Sequence, residues 1–143
     1  MADIQHHFPI AAPVEAVFRA VSDPSGLDQW WTLRSEGEPT DGAAYTLDFG
    51  PEHVWKAHVT LCLPDQAFEL ALTDAHPDWQ DTVVRFDLAK QDGATGVRFR
   101  HSGWPAENDH YFTSCYCWAM YLRVMKRWLE HGETVPYEKR LDV

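Results

Sequence analysis

His101 is the ionisable side chain with the best claim to chemistry in this sequence. It follows Val97 and Phe99 on the apolar side of an alternating stretch, while Arg98 and Arg100 take the other side. An imidazole on an inward-facing strand position can donate, accept or shuttle a proton near neutral pH, or orient a carbonyl. His6 has the same inward parity on the first strand, which places a His6–His101 neighbourhood within reach. A catalytic role for His101 needs a partner, and only a tyrosine such as Tyr111 offers itself. The reading therefore leans away from an enzyme and assigns His101 catalysis only if there is one. No nucleophile elbow, glycine-rich phosphate loop or Ser-His-Asp set is brought together by the periodicity.

Metal ligation is not expected. Cys115 and Cys117 stand two residues apart on a helical stretch and so point about 200° away from each other. No CxxC or HExxH pattern accompanies them, and His6-His7 would face opposite sides of a strand. Three cysteines in a chain of 143 residues fit reduced thiols, and no cofactor is called for.

The elements that must position these residues are legible in the hydrophobic period. Residues 3–10 alternate as a strand. Pro13 opens a helix whose stripe is Val14, Val17, Phe18 and Val21, and Asp23-Pro24 starts a short second helix running into Trp30-Trp31. Residues 33–42 and 74–80 read as loops. Between and after them, strands carry Tyr45, Leu47 and Phe49; Trp55, Ala57, Val59 and Leu61; Phe68, Leu70 and Leu72; Val84, Phe86 and Leu88; then Val97, Phe99 and His101. From Asp109 to His131 the spacing turns helical, with Tyr111, Cys115, Trp118, Leu122, Met125 and Leu129 on one side. Asp109 is expected to cap this helix and Gly132 to end it. Its length of roughly 33 Å is enough to cross a sheet. The order implies one α+β domain over residues 1–143.

The opening FPIAAPVEAVFRAVSDPSGLDQWW and the closing HSGWPAEN…CYCWAMYLRVMKRWLEHGETVPY resemble the SRPBCC superfamily (START/Bet v 1-like), in the branch of the activator of Hsp90 ATPase homologues (AHSA1-like). The resemblance implies a helix-grip fold, a curved antiparallel sheet wrapped around a long C-terminal helix, with a cavity between them. Its members include lipid and steroid carriers, polyketide cyclases and co-chaperone domains, so the fold does not choose the function.

Three functions stay open. The first is binding of a small hydrophobic molecule, as carrier or sensor, in a cavity lined by Trp55, Phe68, Leu70, Phe86, Phe99, His101, Tyr111, Trp118 and Leu122. The second is a protein-interaction module related to the Hsp90 activators, with Trp30, Trp31 and Trp104 as a gate or partner patch. The third is a cyclase-type enzyme using His101. A net charge of −10 argues against nucleic acid and anionic membranes as partners. No apolar run approaches the ~20 residues of a membrane span. The start of the chain has no signal-peptide pattern, which with the cysteines points to the cytoplasm. A homodimer is compatible with the reading.

Overall fold

The structure is a computed structural model that describes residues 2–143. In chain order the elements are β1 (Ala2–Ile10), α1 (Val14–Ser22), α2 (Pro24–Trp30), β2 (Arg34–Glu36), β3 (Ala44–Asp48), β4 (Val54–Leu63), β5 (Ala67–Asp74), β6 (Val83–Gln91), β7 (Ala94–Trp104) and α3 (Asp109–His131). A 3-10 helix, Tyr137–Asp142, follows. The strands form one curved antiparallel sheet in the order β1-β7-β6-β5-β4-β3-β2. The fold is the α+β helix-grip arrangement. The first strand pairs with the last, Ile4 opposite His101 and His6 opposite Phe99.

The alternation in sequence becomes the two faces of the sheet. Ile4, Ile10, Tyr45, Leu47, Ala57, Val59, Phe68, Leu70, Leu72, Val84, Phe86, Val97 and Phe99 are buried, and the residues alternating with them, the buried Ala67 apart, are half-buried or exposed. On the wet face Arg85 bridges Glu69 and Asp87 at 3.2 and 2.9 Å.

α1 and α2 meet at Gly26. A Cβ there would lie 2.6 Å from the Arg19 carbonyl oxygen and 2.8 Å from the Ala20 Cα, so no larger residue permits this approach. Trp30 at the end of α2 donates its indole N–H to the Ala20 carbonyl at 2.8 Å, locking the pair.

α3 spans the residues the periodicity predicts, and Gly132 ends it in the left-handed conformation at φ 67°. Its start differs from expectation. Asn108, not Asp109, is the cap, its side chain accepting the Tyr111 N–H at 2.9 Å. Asp109 lies inside the first turn. Another difference is β2, inside a stretch expected as loop; its three residues pair with β3 through Arg34–Asp48, Ser35–Leu47 and Glu36–Thr46. So short a strand carries too few alternating positions to announce itself.

Candidate functional site

The His101 ring sits at the centre of the molecule with no exposure to solvent. Its two nitrogens are both engaged. The Trp118 indole N–H donates to Nδ1 at 3.1 Å, and Nε2 lies 2.8 Å from the Thr82 hydroxyl oxygen. That hydroxyl in turn donates to the Trp79 carbonyl at 2.6 Å. An indole N–H can only donate, so Nδ1 must be the bare nitrogen and Nε2 carries the proton. The direction of the whole relay is then fixed: Trp118 to His101, His101 to Thr82, Thr82 to Trp79. Burial pushes the His101 pKa down to about 3, and the nearby His110 adds to the effect. His101 is a neutral, fully hydrogen-bonded core histidine.

Around it stands a continuous set of aromatic rings. Trp118 lies 4.4 Å from Phe99 between ring centroids, 5.2 Å from Trp31 and 5.7 Å from Trp79, nearly parallel to the last. Trp79 extends the row to Trp55 at 5.0 Å and to Trp104 at 6.1 Å. Phe86 closes on Phe99 at 5.3 Å and on Trp30 at 5.9 Å. These separations are those of packed aromatic pairs in a protein interior.

Of the predicted lining, Trp55, Phe86, Phe99, His101 and Trp118 therefore come together. Others do not. Phe68 packs instead against Phe18 of α1 and Tyr45 of β3, at 6.3 and 5.9 Å, with Leu70 buried on the same strand. Tyr111 spends its hydroxyl on the Asp3 carbonyl at 2.7 Å and rests edge-on against Trp104. Leu122 borders a surface cleft of about 220 Å³ between β1 and α3, with His6, Phe8 and Lys126 on its walls. His6 stacks on Phe99 and reaches the Cys115 carbonyl at 3.3 Å, whereas Ile4 is the residue opposite His101. The expected His6–His101 neighbourhood is thus replaced by an Ile4–His101 pair.

Trp30, Trp31 and Trp104 call for a correction. Each is at most 1% exposed, so they form no exposed partner patch. The reason is geometric: α2 turns its last residues inward over Phe86 and Trp118, and β7 carries Trp104 to the inner face. Where a cavity was expected between sheet and α3, the indoles of Trp30, Trp31 and Trp79 meet that of Trp118.

Sequence reasoning missed Trp79, placed in a polar loop yet only 8% exposed. Its signal was its size, since a tryptophan in a Pro-Asp-rich loop next to a strand is seldom left in water. It also missed Arg140, which is 4% exposed and donates to the carbonyls of Asp28, Thr32 and Val135. No local pattern marks that residue. Two buried indole N–H groups, those of Trp79 and Trp104, have no acceptor among the described residues.

The model of the family described as activator of Hsp90 ATPase homolog 1-like protein matches residues 11–130. The chain belongs to that family. The structure is similar to the Aha1 dimer from Colwellia psychrerythraea, with a TM-score of 0.84 and 28% identity over 93% of this chain and 99% of that one. A protein from Mesorhizobium loti shares the fold at TM-score 0.80 and 21% identity, covering 92% and 99% of the two chains. So does DynU16, a putative protein in the dynemicin biosynthetic locus, at TM-score 0.76 and 22% identity over 94% of this chain and 50% of that one. No curated protein matches this chain. No helix is long and apolar enough to cross a membrane.

Proposed function

We propose that this chain is a protein-interaction domain of the Hsp90-activator type, working through its surface rather than by enclosing a ligand. The observation that carries the reading is the packing of Trp30, Trp31, Trp79 and Trp118 into the space beneath α3. Membership of the activator family and the 28% identity to an Aha1 support the choice of partner. The surface best suited to the contact is the start of α3. There Phe112 and Tyr116, one turn apart, are 58% and 76% exposed, an arrangement a solvated helix face has no need of.

The test is the ATPase rate of the Hsp90 from the same organism with this protein added. The expected result is a raised rate, lost in the double variant Phe112→Ser, Tyr116→Ser. An unchanged rate, with no complex in sedimentation, would overturn the reading. The Aha1 relative is described as a dimer. A self-association abolished by the same double variant would assign this face to a second copy of the chain instead.

A second reading keeps the small apolar ligand. The unpaired indole N–H groups of Trp79 and Trp104, with rings 6.1 Å apart, favour it, since a ligand oxygen could accept from them. The lining would be Trp55, Phe86, Phe99, His101 and Trp118, and the rings would have to part to admit it. Native mass spectrometry of freshly purified protein tests this directly; a retained small molecule supports it and the bare chain mass counts against it. Against the cyclase-type alternative stands the engagement of both His101 nitrogens, by the Trp118 indole and the Thr82 hydroxyl.

A further inference from the structure

The loop between β5 and β6 brings His76 and Asp78 up to His110 in the first turn of α3, which lies more than 30 residues further along the sequence. We propose that these three side chains form a binding site for a divalent transition-metal ion of the zinc class. One donor atom from each lies within 4.8 Å of the other two. His110 Nδ1 is 2.9 Å from Asp78 Oδ2, His76 Nδ1 is 4.0 Å from the same oxygen, and the imidazole centroids are 4.4 Å apart.

Two imidazoles and one carboxylate are a donor set that zinc accepts readily, and three protein ligands leave a coordination position for water. Ligand atoms about 2.0–2.2 Å from such an ion sit roughly 3.3 Å from one another. The set therefore needs to contract by up to about 1.5 Å at its widest. His76, with a side chain 47% exposed, has the freedom to supply that movement. Its Nδ1 accepts the Asp78 backbone N–H at 3.0 Å. Ligation through Nε2 keeps that bond, and ligation through Nδ1 replaces it.

The donors rest on rigid supports. Trp79 is buried immediately after Asp78, and its N–H and that of Gln80 both donate to the His76 carbonyl, at 2.8 and 2.9 Å. The Gln80 side chain closes the loop by accepting from Ala75 N–H and donating to the Thr73 carbonyl. On the other side His110 leans on Trp104, centroid to centroid 5.5 Å. Asn108, the cap of α3, places its amide 3.5 Å from Asp78 Oδ2. The chain's charge of −10 draws cations in general, but only this group gathers donors of the right kind among the described residues. An ion here would tie the β5–β6 loop to the start of α3, directly outside the His101 relay.

The test is isothermal titration calorimetry of the chelator-treated protein with zinc sulfate, together with thermal melting with and without the ion. The expected result is saturable binding of one equivalent and a raised melting temperature. His76→Ala, Asp78→Asn and His110→Gln should each weaken binding by more than about tenfold, a loss at least as large as that seen on removing supporting residues around metal sites. The double variant His6→Gln, His7→Gln should bind as the parent does. His110→Gln also removes the hydrogen bond to Asp78 at the start of the helix. His76→Ala, whose ring bonds only within its own loop, keeps the test sound. Absence of one-equivalent binding in the parent, or affinity unchanged in His76→Ala, would overturn the proposal.

Discussion

The Trp118 indole N–H donates to Nδ1 of His101 across 3.1 Å, and this one bond fixes the protonation of the most buried titratable group in the core. A proton added to Nδ1 would face the indole hydrogen head-on. The pH consequence follows from the depressed pKa of about 3 against an ordinary value near 6.5. The unfolded chain takes up the proton first, so this contribution to stability is complete above about pH 6.5 and is lost progressively as pH falls toward 3. The carboxylates of Asp48, Asp78 and Glu130, also held low by their hydrogen bonds, weaken the fold only further down. Urea unfolding between pH 6.5 and 5 works above the carboxylate range, and the drop in stability across that interval should be larger in the parent than in His101→Gln. Nitrogen chemical shifts of the ring should report the neutral Nε2–H tautomer throughout.

Trp118 is also the ring on which the interior turns, touching Phe99, Trp31 and Trp79. Trp118→Ala should cost about 4 kcal/mol, from lost burial and the void left behind. The void would be lined by aromatic rings and by the freed His101 Nδ1, a space that admits water as well as a benzene-sized molecule. Apolar fluorescent probes should then bind the variant saturably and leave the parent untouched. Equal binding by the parent would show that the rings part to admit a guest, and the carrier reading would regain its place.

Period-two and period-3.6 patterns carried most of the fold. The strand faces at Val97, Phe99 and His101 and the span of α3 were both legible, because burial of one face leaves a regular mark in sequence. What they could not carry was depth. Patterning places Trp118 and Phe99 inward but cannot say whether the space between sheet and helix is empty, since that depends on where Trp30, Trp31 and Trp79 swing. Nor can a local pattern bring His76 and Asp78 to His110, because the loop and the helix meet only once the sheet has folded. Arg140 illustrates the same limit. Its burial depends on carbonyls at residues 28 and 32, more than a hundred positions away.

The cap of α3 offers a clean comparison of two adjacent residues. Asn108 accepts the Tyr111 N–H, while Asp109 contributes only its charge near the positive end of the helix. Asn108→Ala should cost about 1 kcal/mol, and Asp109→Ala about half that or less. Chemical denaturation of the two variants decides it. The reverse ranking would return the cap to Asp109.

Arg140 fastens the end of the chain to α2. Its Nη2 donates to the Asp28 carbonyl at 2.7 Å, its Nη1 to Thr32 at 3.2 Å and its Nε to Val135 at 3.2 Å. The guanidinium also stands 5.3 Å from the Tyr137 ring centroid. Burial pulls its pKa down, yet an arginine starts so high that it remains charged. Among the described residues no carboxylate sits on it directly; the charge is met by carbonyl dipoles and an aromatic face. Hydrogen bonds from a charged donor contribute more than neutral ones, so Arg140→Met should destabilise the fold by about 2–4 kcal/mol. Lysine should not rescue it, because three carbonyls spread over α2 and the tail need a planar fork rather than a point charge. Truncation after Pro136 should cost a similar amount and speed amide exchange at Trp31 and Thr32, whose N–H groups both bond the Leu27 carbonyl at the end of α2. If Arg140→Lys melts with the parent, the tail is held by Tyr137, through its packing and its hydroxyl's bond to the Phe49 carbonyl, and the fork has no part in it.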